Sequence, residues 1–396
     1  MRILLLVDRY HPTEHVFLEN VYSKILPDKG YKVFFIMRTR STSIFCSVKR
    51  WNNSFLILFR DYTKKNIILK WLFNVRSLIF LLKLLPKIKP DLVQVRNWTW
   101  GGWIALLLKF WKKLPFFFQY TFPFDLTHKE LMKESNYLIK IRYTIHNFWL
   151  KKMMQKTDYI FAISDTMKSY LVREGFKKEF IFPIGLGFDS TIVMEQIDNS
   201  DIIEKHNLKG KMIAMYFGAM RGTRNLEFLI DVWAEVSNKI KNSMLLMVGG
   251  KDRDISRLNN YAHKRNIHNH IIFTGTIERK KIPAYIKSCI MTIAPIPPIP
   301  LFTVSSPTKL YESLGCSCPV VGNNLPEQGR VLKSSKGGLC IPYNKKDFVD
   351  TIVYLFKNPN VAFEMGIKGR EYVLKNRTYS KLSLELDRIY TKLINI

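Results

Sequence analysis

The sequence predicts an α/β protein built from two doubly wound parallel-sheet domains. Short, uninterrupted apolar runs recur along the whole chain, and helical segments lie between them. The length of 396 residues suits two domains better than one. Apolar runs that are continuous rather than alternating are typical of strands covered on both faces, as in parallel sheets. Repeated strand–helix units then predict doubly wound sheets.

The predicted strands are spread over both halves of the chain. Those of the first half lie at residues 3–7, 33–37, 92–95, 116–120 and 159–163. Those of the second half lie at residues 212–217, 244–248, 271–274, 290–294, 319–322 and 339–341. Between the first two of the second half, the apolar residues 226, 229, 230, 233, 236 and 240 repeat at helical spacing.

A polar stretch at residues 190–210 separates the halves and has no strong strand pattern. We therefore expect an N-terminal domain at residues 1–200 and a C-terminal domain at residues 201–375. Residues 376–396 are predicted to form a helix that packs back on the N-terminal domain. The apolar face of this helix is predicted to carry Leu382, Leu386, Ile389 and Leu393.

Composition and charge restrict the classes of protein. With 47% hydrophobic residues the chain can bury a core, and a net charge of +30 favours anionic partners. The five cysteines have neither disulfide nor metal-site spacing, so we expect buried thiols. We find no signal peptide and no 18-residue uncharged apolar stretch. We therefore expect a cytoplasmic protein, either soluble or peripheral on the inner face of the cell membrane.

The most informative stretch is SSPTKLYESLGCSCPVV at residues 305–321. Ser306 is a favourable N-cap and Pro307 suits the first helical position, so a helix is predicted to begin here. Its free N–H groups would lie at the carboxyl edge of a parallel sheet, where such folds bind phosphates. Lys309 is unfavourable in a first helical turn unless an anion compensates it. Glu312 could accept hydrogen bonds from two sugar hydroxyl groups, and the alternative is a Lys309–Glu312 surface pair.

A second basic element, FGAMRGTRN, follows the first predicted strand of the second half. Gly218 and Gly222 loosen the strand-to-helix turn, and Arg221 and Arg224 lie just before the next helix. Two guanidinium groups in such a turn suit a diphosphate clamp. Because both basic elements would face one crevice, they together predict a phosphate-binding site.

At these residues the chain resembles the retaining GT-B glycosyltransferases of family GT4, and the resemblance covers nearly its whole length. The segments that carry it are YFGAMRGTRNLEFLIDVW, IIFTGTIERKKIPAYIKSCIMTIAPIPP, SPTKLYESLGCSCPVVGNNLPEQ and, in the first half, DYIFAISDTMKSYLVREGF. The resemblance implies two Rossmann-like domains that face a central cleft. The N-terminal domain would bind the acceptor, and the C-terminal domain would bind the nucleotide sugar.

The resemblance also implies an activity. A sugar would move, with retention and without a metal or other cofactor, from a UDP- or GDP-linked donor to a hydroxyl group of a glycan or lipid-linked acceptor. The pathway implied is synthesis of a cell-surface polysaccharide or glycoconjugate such as lipopolysaccharide. Arg221 and Arg224 would hold the diphosphate and stabilise the leaving group, and Glu312 would bind the ribose. Further implied donor-binding positions are Gly218, Gly249, Gly275, Ile277, Ser305, Ser306, Pro307, Thr308 and Lys309.

The chain departs from the family pattern at three places. Val304 stands where the first carboxylate of a Glu-x7-Glu pair is common, and the first loop, TEHVF, lacks the usual Gly-Gly. Tyr120 stands where many members have a histidine, so Tyr120, Asp125 and His128 are alternative candidates for its role. Acceptor-side candidates in the first loop are His11, Glu14 and His15. The alternative for the two histidines is a solvated loop position.

Residues 64–113 are strongly basic, with eleven Lys and Arg against one acidic residue, and aromatic residues are interleaved. Residues 66–85 could form a helix with Lys70, Asn74 and Ser77 on its polar face, and a second basic helix is expected at 138–156. Such helices suit an anionic membrane interface, which would imply a lipid-linked acceptor such as a polyprenyl-diphosphate oligosaccharide. The alternative is helices that pack on the core and carry solvated lysines.

Other function classes remain open. A GT-B-fold nucleotide-sugar epimerase would consume the donor without an acceptor. A non-catalytic nucleotide-sugar-binding subunit, suggested by Val304 and the missing Gly-Gly, would bind the donor without turnover. A nucleic-acid-binding protein is disfavoured because no nucleic-acid motif is found and the basic residues are spread among apolar helix positions.

Overall fold

The computed structural model describes residues 1–13, 15–40, 44–61, 67–132, 136–192 and 194–394. The chain divides into two units: Met1–Gly185 with Ser380–Ile396, and Leu186–Tyr379. The division falls after Gly185, whereas the polar stretch of the sequence suggested residue 200. Each unit contains one parallel or mainly parallel sheet with helices between its strands, which confirms the predicted fold class.

The first unit contains the first eight strands of the described chain. They are β1 (Arg2–Tyr10), β2 (Lys32–Thr39), β3 (Cys46–Trp51), β4 (Ser54–Arg60), β5 (Leu92–Arg96), β6 (Phe116–Tyr120), β7 (Tyr159–Ala162) and β8 (Ile181–Pro183). Their spatial order is β3-β4-β2-β1-β5-β6-β7-β8, and only the β3–β4 pair is antiparallel. The strand order reverses between β1 and β5, and doubly wound sheets bind ligands beside the carboxyl ends of such strands.

The second unit contains the remaining six strands of the described chain. They are β9 (Met212–Phe217), β10 (Ser243–Val248), β11 (Ile271–Gly275), β12 (Met291–Ala294), β13 (Val320–Asn323) and β14 (Gly338–Ile341). All neighbouring pairs are parallel, in the order β11-β10-β9-β12-β13-β14. This is the order of a dinucleotide-binding sheet, and it reverses between β9 and β12.

Helices connect the strands in both units. Those packed in the first unit are Leu18–Ile25 (a π-helix), Leu26–Asp28, Ile67–Ile88, Thr99–Lys112, Phe124–Met132, Tyr137–Met154, Asp165–Arg173 and Tyr379–Ile394. Those of the second unit are Ser200–Lys205, Glu227–Lys239, Asp252–Lys264, Ile282–Lys287, Pro300–Thr303, Thr308–Gly315, Pro326–Ser335, Lys345–Lys357 and Pro359–Asn376. Short 3-10 turns lie at Lys178–Phe180, Met194–Gln196, Gly222–Arg224, His268–His270 and Arg279–Lys281.

Three strands of the first unit, β3, β4 and β8, were not predicted from the sequence. The edge strand β3 is largely exposed and carries Lys49 and Arg50, so its sequence lacks an apolar run. It joins β4 through a tight turn in which Asn52 adopts a left-handed conformation with φ 51°. The strand β8 has only three residues, which is too short for a periodic pattern.

The C-terminal helix Tyr379–Ile394 packs in the first unit. Leu382 and Leu386 are buried on one face of it, together with Tyr390. The Tyr390 hydroxyl donates to the side-chain carbonyl of Gln94 and lies 3.1 Å from the Tyr22 hydroxyl. The Gln94 amide in turn donates to Tyr22 at 2.6 Å. A closed polar network therefore joins this helix to the middle of the first sheet.

The helix Ile67–Ile88 differs from the amphipathic helix that the sequence suggested. Ser77, expected on the polar face, is buried in line with Phe73, Leu81 and Leu85. This spacing of four residues turns one face of the helix toward the core. The structure thus supports the core-packing alternative for this face. Among the described residues, no helix combines the length and the apolarity that crossing a membrane requires.

Candidate functional site

The carboxyl ends of β9 and β10 in the second unit come together at two glycines. Gly218 follows β9 with φ +116°, and Gly249 follows β10 with φ +102°. A Cβ atom on Gly218 would collide with the end of the Lys309 side chain, and one on Gly249 would lie 2.8 Å from the Gly218 carbonyl oxygen. Only glycine fits this backbone conformation and this close approach without strain. The Gly249 N–H also donates to the Gly275 carbonyl at 2.9 Å, which brings the end of β11 into the same group.

Lys309 lies at the centre of this group. Its ammonium group donates to the Tyr216 hydroxyl at 3.2 Å and lies 4.5 Å from the centre of the Tyr216 ring. Burial and the nearby Arg224 lower the pKa of Lys309 to about 7, although Glu312 opposes the shift. Burial also raises the pKa of Tyr216 to about 12, so this phenol stays protonated. A cation held in this way is poised to gain from a bound anion.

Of the two predicted arginines, Arg224 ends the 3-10 turn Gly222–Arg224 that follows Gly218, and Arg221 is the residue just before that turn. The Arg224 guanidinium stacks 4.3 Å from the centre of the Phe302 ring, and burial lowers its pKa. Arg221 is exposed, and its carbonyl accepts a hydrogen bond from the Arg224 N–H at 2.8 Å. The charge of Arg224 lowers the pKa of Lys309, and the charge of Arg221 lowers the pKa of Arg224. The structure therefore gathers positive charge beside the glycines.

The helix that supports Lys309 begins later than the sequence suggested. Pro307, rather than Ser306, is the N-cap residue, and the helix runs over Thr308–Gly315 without a side-chain cap. Pro307 has an extended backbone with ψ 106°, so it stands before the helix instead of in its first position. The Ser305 hydroxyl donates back to the Phe302 carbonyl at 2.7 Å. The first-turn N–H groups of such a helix have no intrahelical acceptor and suit an anion.

Glu312 lies one turn into the same helix and forms an ion pair with Arg279. Arg279 begins the 3-10 turn Arg279–Lys281, shortly after β11 and the partly buried Ile277. The Lys309–Glu312 pair considered from the sequence is not formed, because Lys309 turns to Tyr216 instead. Sequence reasoning missed Arg279, and the available signal was the basic run ERKK after a predicted strand.

A buried acidic residue, also missed from the sequence, fixes the far side of this helix. Glu327, which is 3% exposed, accepts a hydrogen bond from Tyr311 at 2.8 Å. It also forms ion pairs with Arg330 and, at 3.7 Å, with Arg377. Burial and the Glu327 charge raise the pKa of the Tyr311 phenol. These contacts lock the side of the helix that faces away from Lys309 and Glu312.

In the first unit, the loop after β1 meets the end of β5. The ring nitrogen Nε2 of His15 lies 3.1 Å from the Arg96 guanidinium, which is 3% exposed and lies 5.3 Å from the centre of the Phe17 ring. His11 packs edge-on against Trp51, and burial together with Lys49 lowers its pKa. The third acceptor-side candidate, Glu14, lies outside the described residues.

The candidates for the missing histidine lie after β6. Asp125 accepts hydrogen bonds from the hydroxyl groups of Tyr120, at 2.5 Å, and Tyr170. Burial and Asp125 raise the pKa values of both phenols. His128 lies apart from this pair: it stacks on Tyr143 and bonds to Asn147 at 2.7 Å. The carboxylate of Asp125 is thus already shared by two tyrosines.

The structure therefore groups most donor-side candidates of the second unit. Around Lys309 it gathers Gly218, Gly249, Arg224 and Glu312, with Arg221 exposed beside them. Within the described residues, no group of three His, Cys, Asp or Glu side chains is arranged to hold a metal ion.

Comparison with known families matches each half of the chain to a separate family model. "Glycosyltransferase Family 4" matches residues 23–191, and "Glycosyl transferases group 1" matches residues 198–372. A curated relative, an uncharacterized glycosyltransferase of Methanocaldococcus jannaschii, is 23% identical over 325 residues. That alignment covers 78% of this chain and 77% of the relative.

Solved structures with the same fold cover the whole chain. Sucrose-phosphate synthase from Thermosynechococcus elongatus has a TM-score of 0.79 at 15% identity and covers 100% of both chains. Anabaena Alr3699/HepE, in complex with UDP and glucose, has a TM-score of 0.74 at 12% identity, over 98% of this chain and 99% of its own. At these identities the likeness establishes the fold.

Proposed function

We propose that this chain, which belongs to the glycosyltransferases of the GT-B fold, transfers a sugar from a nucleoside-diphosphate sugar to a hydroxyl group of an acceptor. One observation carries the proposal. Lys309 and Arg224 converge beside Gly218 and the start of the helix Thr308–Gly315, at the carboxyl ends of the central strands of the second sheet. Two cations with free amides beside them match the charge of a diphosphate.

The donor nucleotide would extend from this phosphate site toward β11. Glu312 would accept hydrogen bonds from the ribose hydroxyl groups, with Arg279 holding its carboxylate in place. The backbone near Gly275 and Ile277 would border the nucleobase. The HepE structure contains UDP, which supports a uridine nucleotide as the first one to test, with GDP as the alternative.

The chemical step would depend on stabilising the diphosphate as it leaves. Lys309, Arg224 and the exposed Arg221 would meet the developing negative charge, so a metal ion would not be required. We propose retention at the anomeric carbon, through attack of the acceptor hydroxyl on the same face from which the diphosphate departs. Fixed cations contribute here because they need no reorganisation as the charge develops.

The acceptor is proposed to be a glycan or lipid-linked hydroxyl compound used in cell-surface polysaccharide or glycoconjugate synthesis. The support is the basic surface of the chain, whose net charge of +30 favours an anionic membrane or a phosphorylated acceptor. The acceptor-side candidates His11 and His15 lie at the strand reversal of the first sheet, which is a usual ligand position.

Calorimetric titration with UDP, GDP and their glucose conjugates tests the donor site. We expect one of the two nucleotides to bind, and Arg224→Ala and Glu312→Ala each to weaken binding by tenfold or more, about 1.4 kcal/mol. Arg388→Ala is the matched control, because Arg388 is an exposed arginine of the C-terminal helix, which belongs to the other unit. Unchanged affinity in both site variants would contradict the proposed donor site.

A further inference from the structure

The helix Tyr137–Met154 exposes a continuous apolar stripe formed by Leu138, Ile141, Ile145 and Phe148. The exposed fractions of these residues are 75%, 39%, 53% and 54%. They recur at three- and four-residue spacing, so they lie on one face of the helix. A contiguous exposed apolar face on a helix indicates a contact surface, whereas single exposed apolar residues do not.

Basic residues flank the apolar stripe. Lys140 and Arg142 are exposed beside it, and the Lys152 ammonium group lies 5.6 Å from the centre of the Phe148 ring. The 18 residues of this helix include no acidic residue. A helix that is cationic around an exposed apolar face complements the headgroup region of an anionic bilayer.

This surface distinguishes the two basic helices of the first unit. Helix Ile67–Ile88 turns Phe73, Ser77, Leu81 and Leu85 into the core. Its exposed apolar residues include Leu72 and Ile79, which are seven positions apart. The apolar stripe on Tyr137–Met154 is longer and closer-spaced. Among the described residues of these two helices, it is therefore Tyr137–Met154 that presents a continuous apolar surface.

The position of the apolar stripe links it to the ligand edge of the first sheet. The second half of its helix packs on Thr99–Lys112, through a 3.0 Å contact between Thr99 and His146 and an edge-on contact between Trp103 and Trp149. Thr99 stands just after the carboxyl end of β5. The preceding residues 137–145 lie on the N-terminal side of this contact and span about 13 Å of helix, at 1.5 Å per residue.

We propose that the apolar stripe docks the first unit on an anionic lipid bilayer. Its side chains would enter the boundary between headgroups and acyl chains, and Lys140, Arg142 and Lys152 would contact lipid phosphates. The biological role of this docking rests on the proposed function: docking would bring a lipid-linked acceptor to the carboxyl edge of the first sheet. The docking itself does not require turnover.

Vesicle flotation of the full chain tests the inference. Vesicles of phosphatidylcholine with about 30% phosphatidylglycerol are compared with pure phosphatidylcholine at low ionic strength. We expect the wild-type protein to float with the anionic vesicles. The triple variant Leu138→Ser, Ile141→Ser, Ile145→Ser should lose at least about tenfold in partitioning, because its apolar contact area is removed. The matched control, Leu72→Ser with Ile79→Ser, replaces similarly exposed residues on the other helix and should float normally.

Three results would overturn the docking surface. In the first, the wild-type protein floats with neither kind of vesicle. In the second, the triple variant floats like the wild type. In the third, the control variant loses as much partitioning as the triple variant. A triple variant that changes only the oligomeric state in light scattering would instead make the stripe a contact between copies. Nucleotide titration of each protein separates the two proposals, because a chain that floats but binds neither UDP nor GDP contradicts the donor site alone.

Discussion

At the residue scale, the proposed donor site contains a lysine, Lys309, that lacks a strong anionic partner of its own. The Lys309 ammonium group rests on a neutral phenol and an aromatic face, close to Arg224. The nearest carboxylate that acts on it, Glu312, is already paired with Arg279. A diphosphate would supply the missing negative charge, so binding should change the protonation of Lys309.

This coupling predicts a pH-dependent affinity. The pKa of Lys309 is about 7 in the free protein, and a bound diphosphate must raise it. The complex then holds more protons than the free protein above pH 7, so binding takes up a proton and weakens as the pH rises. We expect the Kd of UDP, or of GDP if that nucleotide binds, to increase between about pH 7.5 and pH 9, by at most about tenfold per pH unit.

Calorimetric titration at several pH values measures this change. Lys309→Arg serves as the control, because a guanidinium group stays charged over the whole range and should flatten the pH dependence. A wild-type Kd that is constant from about pH 7.5 to pH 9 would show that Lys309 does not titrate at the site.

Gly218 offers a second prediction at this scale. In Gly218→Ala the alanine backbone would be strained at φ +116°, and the new methyl group would contact the Lys309 ammonium group. We expect a loss of about 1–3 kcal/mol in stability and at least tenfold in nucleotide affinity. Gly222→Ala is the matched control, since no atom lies within 4 Å of its added Cβ. Thermal unfolding and titration are compared, and equal effects at both glycines would refute the steric argument.

At the scale of elements, the C-terminal helix is held in the first unit by the network of Tyr390, Gln94 and Tyr22. Tyr390→Phe keeps the ring in place but leaves the buried Gln94 carbonyl without its donor. We expect a loss of about 1–3 kcal/mol. Urea unfolding followed by tryptophan fluorescence reports mainly on the first unit, because seven of the eight tryptophans lie there. Tyr354→Phe, at an exposed position of the second unit, should leave this transition unchanged.

The elements that could be predicted from the sequence are those with a local signal. Central strands such as β1, β6 and β9 carry continuous apolar runs, because helices cover both of their faces. The exposed edge strand β3 has no such run. The same distinction holds for the candidate site. The glycine turn at Gly218 and the start of the helix near Pro307 could be predicted because each is a local sequence pattern. The pairing of Arg279 with Glu312 joins residues 33 positions apart, and only the fold brings them together.

At the scale of the whole molecule, the net charge of +30 creates a field that acts beyond single contacts. Such a field raises the local concentration of anions and is screened by salt over a Debye length of about 8–10 Å at physiological ionic strength. A nucleotide with a charged diphosphate should feel this field, while its uncharged nucleoside should not. The excess of Lys and Arg would therefore affect the proposed donor binding as well as the proposed docking on a bilayer.

We accordingly expect the association rate of UDP, or of GDP if that nucleotide binds, to fall as ionic strength rises from about 20 mM to about 300 mM. Stopped-flow fluorescence measures this rate, since screening weakens the long-range attraction before contact is made. The matching nucleoside, uridine or guanosine, is the control, and its binding should be nearly independent of salt. Equal changes in the association rates of nucleoside and nucleotide would show that salt acts on the protein fold rather than on electrostatic attraction. The thermal stability of the protein should then change over the same range of ionic strength.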